Sequence, residues 1–490
     1  MTLEELKDYS RDQLVEKVLD LSQQVDEFRR IIYGVTSERY VKDQAPPFQP
    51  KLFDIPLPDP PAAQEKEQIS YTRRKKSPKS QGHGRQPLPA NLPRDVRIIE
   101  PSADTTGFEK IGEKISEQLE YTPGKFYVIR TIRPVYAPPT RDKVVVADIP
   151  EKPIEKGIPG PNLLANIITD KFLDHLPIHR IINRFRKQDI PLSASTIDGW
   201  QEAAAQMISP VYRRIKDHIC RSGYLQADET PLKVRDRRKK GKTHRGFMWL
   251  YHSPEMRLTV YDYQPGRGRD GPRRFLSGFA GYLQTDGYSA YNALARETKP
   301  SAIQVTHLNC LAHARRNFEK AKDTDERAKT MLQMIQALYQ IERTARTKEL
   351  DPTARRKLRQ AESLPVLARM KSWLNEQLND ILPKSPFGTA VFYMLNRWTL
   401  LTRYTECGRL EIDNNLVENA VRPVALGRRN YLFAGSHNGA RRLAIFYTII
   451  QNAKNQGLNP EKYLSYILSH INTHPQHKLD NLLPQNINLD

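Results

Sequence analysis

Five short runs of β-forming residues between positions 223 and 308 are the feature that most constrains this fold. The runs share a high content of β-branched, aromatic and other apolar residues. They lie at Tyr224–Ala227, Phe247–Tyr251, Leu258–Tyr261, Gly281–Thr285 and Ile303–Leu308. A helical stretch, Ser289–Glu297, separates the last two runs. Strands and a helix in this order predict an α/β layer.

Helical patterns flank this layer on both sides. Apolar residues recur at helical spacing over residues 161–207 and again over 315–398. Prolines interrupt the second stretch, which indicates an all-α insertion at about 322–405. Residues 443–471 predict a helical C-terminal region, and we expect the polar segment 472–490 to form a loose tail.

The N-terminal part differs from the rest of the chain in its residue patterns. Apolar residues from Leu14 to Ile32 follow the spacing of a short coiled coil, so this helix either pairs with another copy or packs on its own chain. Seven prolines within residues 45–63 predict a linker. Residues 73–79 are basic and either neutralise phosphates or remain a solvated tail. Residues 95–148 alternate short β-type runs with turns, which favours a small β-rich module.

A helix-turn-helix is predicted in the helical region before the first strand. Two helical patterns are followed by a connection containing Pro191 and by Ser193-Ala-Ser195-Thr196, whose hydroxyls can cap a third helix that runs through Trp200. This order is typical of a DNA-reading helix-turn-helix. An ordinary helical bundle has the same periodicity and remains the alternative.

Charge and composition exclude some classes of protein and favour others. The chain has 77 Lys and Arg against 56 Asp and Glu, a formal charge of +21, which predicts a polyanionic partner. Its longest apolar stretch, Leu443–Ile450, is too short to cross a bilayer, and no secretory signal follows Met1, so we expect a cytoplasmic protein. Cys220, Cys310 and Cys407 are too few and too scattered for a disulfide framework.

Two carboxylates follow predicted strands directly. Asp228 and Asp286 each come after an apolar run, so both are expected at the open edge of one sheet, where α/β sites form. Helical spacing places Glu418 on one side of a later helix together with three polar neighbours, Asn414, Asn415 and Arg422. Pro423 is expected to end that helix.

Three such carboxylates brought together would repel one another unless a cation lay between them. Oxygen-only ligands with open positions suit Mg²⁺ or Mn²⁺, and two such ions are a recurrent arrangement for phosphodiester chemistry. The polyanionic partner would then be a substrate. For any one of these acids taken alone, a surface or capping role is the competing interpretation.

Several longer segments resemble the transposases of the insertion sequence 66 family. The resemblance is carried by Gln226-Ala-Asp-Glu-Thr-Pro231, Gln284-Thr-Asp-Gly-Tyr-Ser-Ala-Tyr291, Cys310-Leu-Ala-His313-Ala-Arg-Arg-Asn-Phe318, Asn414-Asn-Leu-Val-Glu-Asn-Ala-Val-Arg-Pro423 and Ala425-Leu-Gly-Arg-Arg-Asn-Tyr-Leu-Phe-Ala-Gly-Ser436. It extends to Gly82–Pro89, Gly160–Trp200 and the amino-terminal helix, so nearly the whole chain is matched in order.

The resemblance implies a DDE transposase with a multidomain α/β architecture and a ribonuclease H-like catalytic core. Asp228, Asp286 and Glu418 would be its catalytic, metal-binding acids. It also implies that Cys310 and His313 belong to the core; two ligands are too few for a closed zinc site, so a supporting role is expected for this pair, as for Asn414 and Asn415.

The domain organisation follows from these patterns and from the resemblance. We expect a coiled-coil-like helix (1–44), a Pro-rich then basic linker (45–94), the β-rich module (95–155), the helix-turn-helix region (156–215), the catalytic domain with its all-α insertion (216–436) and a helical C-terminal region (437–490).

One departure from the family pattern lies in the β-rich module. Relatives carry two Cys-x-x-Cys pairs there, whereas the matching stretches are Pro101–Gly107 and Tyr136–Arg141 and contain no cysteine. We therefore expect this module to form without zinc, and the predicted cofactors are two Mg²⁺ or Mn²⁺ ions at each active site.

The expected reaction is cleavage at transposon ends followed by strand transfer to target DNA. Phosphate and DNA contacts are predicted for Arg235, Arg237, Arg238, Lys239, Lys240, Lys242, Arg422, Arg428, Arg429, Ser195 and Thr196. The partners would be terminal inverted repeats, target DNA, at least one further copy of the chain and accessory transposition proteins, in the bacterial nucleoid. A catalytically inactive DNA-binding derivative and a structure-selective nuclease of the same fold are the alternatives.

Overall fold

The computed structural model describes residues 124, 126–130, 135–136, 145–146, 152–155, 157–236, 242–288, 290–291 and 304–489. The chain divides into two units, Met1–Val128 and Ile129–Asp490. The predicted coiled-coil helix, the linker and most of the β-rich module lie outside the described residues. Of that module, two short strands are described, β1 (Val135–Tyr136) and β2 (Val145–Val146), which pair antiparallel.

A five-stranded mixed sheet forms the centre of the second unit. Its strands are β3 (Tyr224–Arg235), β4 (Thr243–Ser253), β5 (Leu258–Gln264), β6 (Ala280–Thr285) and β7 (Gln304–Asn309). They are arranged in the order β5-β4-β3-β6-β7. β3, β4 and β5 form an antiparallel meander, whereas β6 and β7 run parallel to β3. The central strand β3 therefore joins the antiparallel and the parallel halves of the sheet.

Helices surround this sheet and extend beyond it. They are α1 (Pro161–Phe172), α2 (Ile178–Arg186), α3 (Ala194–Ile219), α4 (Asp270–Phe275), α5 (Leu311–Ala321), α6 (Arg327–Thr347), α7 (Pro352–Leu358), α8 (Leu364–Gln377), α9 (Pro386–Asn396), α10 (Trp398–Thr402), α11 (Asn415–Tyr431), α12 (His437–Asn455) and α13 (Pro460–His470). α11 packs on β3 and β4, α12 packs on β5, and α3 contacts α12. These helices cover the central strands. In β4, for example, every residue from Gly246 to Ser253 is buried.

The helices from α5 to α10 share one hydrophobic core. Their buried apolar side chains include Met331, Leu338, Met370 and Val391, and this cluster continues to Leu308 at the end of β7. Prolines open α7 and α9 at their first positions, where the missing N–H costs nothing. The helical block is thus packed against the parallel side of the sheet.

A buried ion pair lies inside this block. Arg359 and Glu342 are both fully buried, and Arg359 Nε donates to Glu342 Oε1 at 2.7 Å. Arg359 also donates to the carbonyl oxygens of Tyr404, Cys407 and Leu410. One side chain therefore ties the turn after α7 to the segment that leads toward α11.

The C-terminal segment is packed, and the expectation of a loose tail is wrong. Leu482 and Leu483 are buried, and short 3₁₀ turns lie at Gln476–Leu482 and Pro484–Asn486. Asp480 accepts hydrogen bonds from Arg214 Nε at 2.5 Å and Nη2 at 2.6 Å. Two adjacent leucines and one charged anchor are enough to hold a polar segment on α3.

The five predicted strand runs each coincide with a strand, so the predicted mixed α/β class is confirmed. Of the predicted helix Ser289–Glu297, all but residues 290–291 lies outside the described residues. Two local predictions were wrong. Asp228 lies inside the 12-residue strand β3 rather than at its end, because β3 pairs with β4 over residues 226–235. Pro423 lies inside α11, which continues to Tyr431.

Among the described residues, no helix is long and apolar enough to span a membrane.

Candidate active site

Two aspartates lie at equivalent positions relative to a residue pair of two neighbouring parallel strands. The register of β3 and β6 pairs Gln226 with Gln284; Asp228 stands two residues later within β3, and Asp286 stands two residues later, just past the end of β6. Asp286 follows β6 directly, and its Oδ1 accepts the backbone N–H of Tyr288 at 2.8 Å. Gly287 has a positive φ of +91°, which lets the chain turn sharply at this point.

The two paired glutamines attach the beginning of α11 to these strands. Gln226 Nε2 donates to Gln284 Oε1 at 3.0 Å and to the carbonyl oxygen of Asp413 at 2.9 Å. Gln284 Nε2 donates to the carbonyl oxygen of Glu411 at 2.9 Å. Both glutamines are fully buried. The segment before α11 is therefore held at a fixed position above the two strands that carry the aspartates.

Glu418, in the first turn of α11, is the third carboxylate of the site. Its Oε2 accepts a hydrogen bond from Arg316 of α5. Its Oε1 lies 3.6 Å from His313 Nδ1, also of α5. Among the described residues, neither Oε1 nor that Nδ1 has a hydrogen-bond partner, although both atoms are buried.

The three carboxylates interact electrostatically. Burial, the neighbouring charge of Glu229 and the charges of Asp286 and Glu418 together raise the pKa of Asp228 to about 8. Burial is the largest of these causes. In a buried acidic cluster without a cation, one carboxyl group is expected to be protonated and therefore neutral. Such a cluster favours a bound divalent cation, because the cation removes the repulsion that protonation otherwise relieves.

The sequence-based reasoning missed a second buried acid in β3. Glu229 Oε1 accepts from Arg267 Nε at 2.9 Å and Nη2 at 2.6 Å, and burial raises the pKa of Glu229. It also missed Arg316 and the bridging role of Gln226 and Gln284. For the glutamines a signal was present, because each stands two residues before an aspartate in the quoted segments.

Cys310, His313 and Glu418 form a second cluster at the same place. Cys310 precedes α5 and is fully buried, and His313 lies in the first turn of that helix. One ligand atom from each of the three residues lies within 4.8 Å of the other two. The backbone N–H of Asn414, which is fully buried, donates to Cys310 Sγ at 3.3 Å, whereas Asn415 is exposed.

The predicted DNA-contacting residues are spread over three regions. Arg235 and Lys242 are exposed where β3 ends and before β4 begins, while Arg237, Arg238, Lys239 and Lys240 lie outside the described residues. Arg422 and Arg429 are exposed on α11.

Arg428 and Thr196 make hydrogen bonds within the protein. Arg428 Nη1 donates to Thr230 Oγ1 and to the carbonyl oxygen of Pro231, both at 2.7 Å. At the start of α3, Ser195 is exposed, and Thr196 donates its backbone N–H to Ser193 Oγ at 3.1 Å.

Comparison with models of known protein families shows to which family this chain is related. Residues 156–442, more than half of the chain, match the model described as Transposase IS66 family. The chain belongs to the IS66 transposase family. Two further models of IS66 elements match, "Transposase C of IS166 homeodomain" over residues 20–97 and "IS66 C-terminal element" over residues 448–485. The resemblance predicted from the sequence is confirmed.

Similar full-length proteins occur in Sinorhizobium fredii (strain NBRC 101917 / NGR234). The uncharacterized protein y4qI is 33% identical over 496 residues, which cover 97% of this chain and 90% of the relative. The uncharacterized protein y4jD is 32% identical over 498 residues, which cover 98% and 96%. No solved structure matches this IS66 transposase significantly.

The expectation of a zinc-free N-terminal module is corrected by the same comparison. Residues 105–139 match the model described as "zinc-finger binding domain of transposase IS66", which points to zinc binding in this module. The expectation rested on missing Cys-x-x-Cys pairs alone.

Proposed function

We propose that this IS66 transposase is a DDE enzyme that binds the terminal inverted repeats of its transposon, cleaves there and transfers the strand ends to target DNA. The observation that carries the proposal is the meeting of Asp228, Asp286 and Glu418, which come from two adjacent parallel strands and from α11. The charges of Asp286 and Glu418 contribute to the raised pKa of Asp228, after burial and the charge of Glu229. Family membership supports the transposase class, and the geometry supports the active site.

The sheet supports a ribonuclease H-like core. Three antiparallel strands are followed by two strands parallel to the first, in the order β5-β4-β3-β6-β7. The acids stand on β3, directly after β6 and on a helix that follows the helical block. We propose that residues 216–436 form this catalytic domain and that the helices at about 322–405 are its insertion.

The carboxylates fit Mg²⁺ or Mn²⁺ as cofactor. A divalent cation would remove the repulsion that contributes to the raised pKa of Asp228. Two such ions supply activation of the attacking oxygen and stabilisation of the leaving oxygen. Asp228, Asp286 and Glu418 would hold the ions.

The surrounding cations are proposed to hold DNA. Arg422 and Arg429 are exposed on the same helix as Glu418, and Arg235 and Lys242 flank the basic loop between β3 and β4. Arginine suits bidentate contact with phosphate. Arg428 is better placed to brace α11 on β3, since its guanidinium already donates to Thr230 and Pro231.

Base reading is proposed for the segment containing α2 and α3, with Ser195 and Thr196 at the start of α3. Pairing two transposon ends requires at least two protomers, for which the Leu14–Ile32 segment is the candidate contact. Accessory transposition proteins are further candidate partners. The exposure of Ser195 at the beginning of a long helix supports a contact with DNA there.

Strand nicking and joining tests the proposal. A labelled duplex that carries the element's own terminal repeat is incubated with Mg²⁺, and the wild type is compared with Asp228→Ala and Glu418→Ala. We expect nicked and joined products with the wild type, none with either variant, and unchanged DNA binding. Glu319→Gln, an exposed acid of α5, is the matched control.

Other outcomes would favour one of the alternatives. Cleavage of branched duplexes without joining would indicate a structure-selective nuclease. Specific binding of the terminal repeat without metal-dependent cleavage, also in the presence of the element's accessory proteins, would indicate a DNA-binding derivative.

A further inference from the structure

The fold adds a third donor to the Cys310-x-x-His313 pair. The sequence offers two potential ligands, which are too few for a metal site. In the structure, Glu418 of α11 faces both of them, and one ligand atom of each residue lies within 4.8 Å of the other two. Cys310 and His313 lie at the start of α5 and Glu418 lies in α11, more than 90 residues later in the sequence, so only the tertiary structure assembles this set.

The unpartnered atoms have the spacing of a metal site. His313 Nδ1 and Glu418 Oε1 are buried, have no hydrogen-bond partner among the described residues and lie 3.6 Å apart. At that distance they do not hydrogen-bond each other well. Metal bonds of about 2.0 to 2.2 Å in a tetrahedral site place a nitrogen and an oxygen ligand roughly 3.4 Å apart, close to the observed separation. One ion between the two atoms would satisfy both.

The donor types select the class of ion. A thiolate, an imidazole and a carboxylate suit Zn²⁺ and similar transition-metal ions, whereas Mg²⁺ takes oxygen ligands. Three protein ligands leave a fourth position for water or a substrate oxygen. The backbone N–H of Asn414 already points at Cys310 Sγ, as a group that supports a thiolate ligand would.

We propose that Cys310, His313 and Glu418 bind one Zn²⁺-class ion beside the DDE carboxylates. The site goes beyond the proposed function, because it adds a thiolate and an imidazole for a different class of ion, and it shares Glu418 with the carboxylates proposed for Mg²⁺. Binding releases the thiol proton of Cys310 to solvent. Glu418 then offers Oε1 to this ion, while Oε2 remains on the side of Arg316.

Arg316 opposes this ion in the present arrangement. Its Nη1 donates to His313 Nε2 at 3.3 Å, and it also donates to Glu418 Oε2. A metal ion on Nδ1 requires the imidazole proton to be on Nε2, where it would meet the guanidinium N–H. Metal binding therefore requires Arg316 to give up its contact with Nε2, and removing the guanidinium should strengthen binding.

Titration of the full-length protein with Co²⁺, a spectroscopic substitute for Zn²⁺, tests the site. We expect a thiolate-to-cobalt charge-transfer band that saturates at one equivalent and disappears when Zn²⁺ is added. The chain has only three cysteines, and none lies in residues 105–139, so this band does not report the N-terminal zinc-finger region. Absence of the band in the folded wild type would overturn the proposal.

Variants assign the band to its ligands. Cys310→Ser should abolish it, His313→Asn and Glu418→Gln should weaken Co²⁺ binding about tenfold or more, and Arg316→Ala should tighten it. Cys220→Ser and Cys407→Ser are the matched controls and should leave the band unchanged. Persistence of the band in Cys310→Ser, or its loss in a control, would contradict the assignment. Circular dichroism checks the fold of each variant, and nicking in Mg²⁺ is measured separately, so failure of this site is distinguishable from failure of the proposed function.

Discussion

At the residue scale, Glu342 and Asp228 show two different environments for a buried acid. Glu342 is completely buried, and both of its oxygens accept hydrogen bonds from Arg359, with Arg355 as a further partner. These partners hold the pKa of Glu342 below its usual range despite burial, which alone would raise it. Asp228 has no such cationic partner among the described residues, and burial, followed by the neighbouring acidic charges, raises its pKa instead. This contrast distinguishes a structural acid from a candidate metal ligand.

Removing Arg359 should therefore destabilise the helical block. Arg359→Met leaves Glu342 with a buried charge that is poorly compensated, together with three carbonyl oxygens without their donor. We expect the free energy of unfolding in urea to fall by about 3–5 kcal/mol. Arg356→Met, at an exposed position of α7, is the control and should change it by less than about 0.5 kcal/mol. Equal effects of the two substitutions would contradict the role of the pair.

The C-terminal segment should respond to acid. Hydrogen bonds from Arg214 and His218 hold the pKa of Asp480 well below its usual range. Because the folded pKa is depressed, the stabilisation is present above about pH 4, the unfolded pKa, and is lost as pH falls through the folded value. Asp480→Asn should lower the thermal midpoint at pH 7 and have less effect below pH 4. The side chain is 39% exposed, so we expect about 1 kcal/mol at most.

The control for this pH dependence is Asp323→Asn, at an exposed aspartate after α5. It should leave the thermal midpoint nearly unchanged at both pH values. A difference between wild type and Asp480→Asn that grows on acidification would show the opposite sign and contradict the linkage.

At the element scale, the position of α11 depends on the sheet. Gln226 and Gln284 fix the segment before α11, and Arg428 fixes its C-terminal half to β3. Arg355 reaches from α7 to Glu411, with Nη1 2.9 Å from Oε1, so the helical block contacts the same segment. The location of Glu418 is therefore set by contacts from both the sheet and the helical block.

Loosening this attachment should affect chemistry more than binding. In Gln226→Leu the carbonyl oxygen of Asp413 loses its donor, and Glu418 is displaced relative to the aspartates. A shift of about 1 Å costs about 100-fold in rate, so we expect that loss in single-turnover nicking, a higher Mg²⁺ requirement and unchanged DNA affinity. Gln201→Leu is the control, since Gln201 is equally buried, lies in α3 and has an unpartnered Nε2. An equal loss in both variants would indicate general destabilisation.

Much of this arrangement was predictable from the sequence at the level of elements. The strand runs were visible because β3 to β7 are apolar, and the acids stood out because they follow such runs. The full length of β3 was not predictable, since its second half includes Pro231, Lys233 and Arg235 and depends on pairing with β4. The path of α11 through Pro423 and the burial of Leu483 depend on tertiary packing, which overrides local propensity.

The candidate site was predictable only in part for the same reason. Asp228, Asp286 and Glu418 could be proposed from motifs, but the contact of Glu418 with His313 and Arg316 joins two helices distant in sequence. The spacing of apolar residues along the sequence does not indicate such a contact between distant helices. The bridging glutamines were present in the motifs, yet their partners are backbone carbonyls whose positions only the fold provides.

At the scale of the whole molecule, the net charge of +21 fits a protein that binds a polyanion. The six basic residues around the loop between β3 and β4 are a testable part of that charge. They are Arg235, Arg237, Arg238, Lys239, Lys240 and Lys242. Replacing all six with Gln should reduce the slope of log affinity against log salt by up to about 5, since each neutralised phosphate contributes about 0.9.

The control for the salt dependence changes exposed cations of the helical block. Arg356, Lys357, Arg369 and Lys371 are exposed on α7 and α8, and their replacement with Gln should leave the slope nearly unchanged. The measurement is fluorescence anisotropy of a labelled duplex over a range of salt concentrations. A slope that does not change in the loop variant would remove this loop from the DNA interface.

The central claim is that carboxylates from β3, β6 and α11 jointly hold the catalytic metal ions. The most direct test of this claim replaces one proposed ligand and compares activity with two different metal ions. Asp286→Cys replaces an oxygen ligand by a thiolate, which binds Mg²⁺ poorly and Mn²⁺ better. The account predicts no nicking of the terminal-repeat duplex in Mg²⁺ and measurable nicking in Mn²⁺, whereas the control Glu319→Cys cleaves like the wild type in both. Nicking by Asp286→Cys in Mg²⁺ at the wild-type rate would contradict the account.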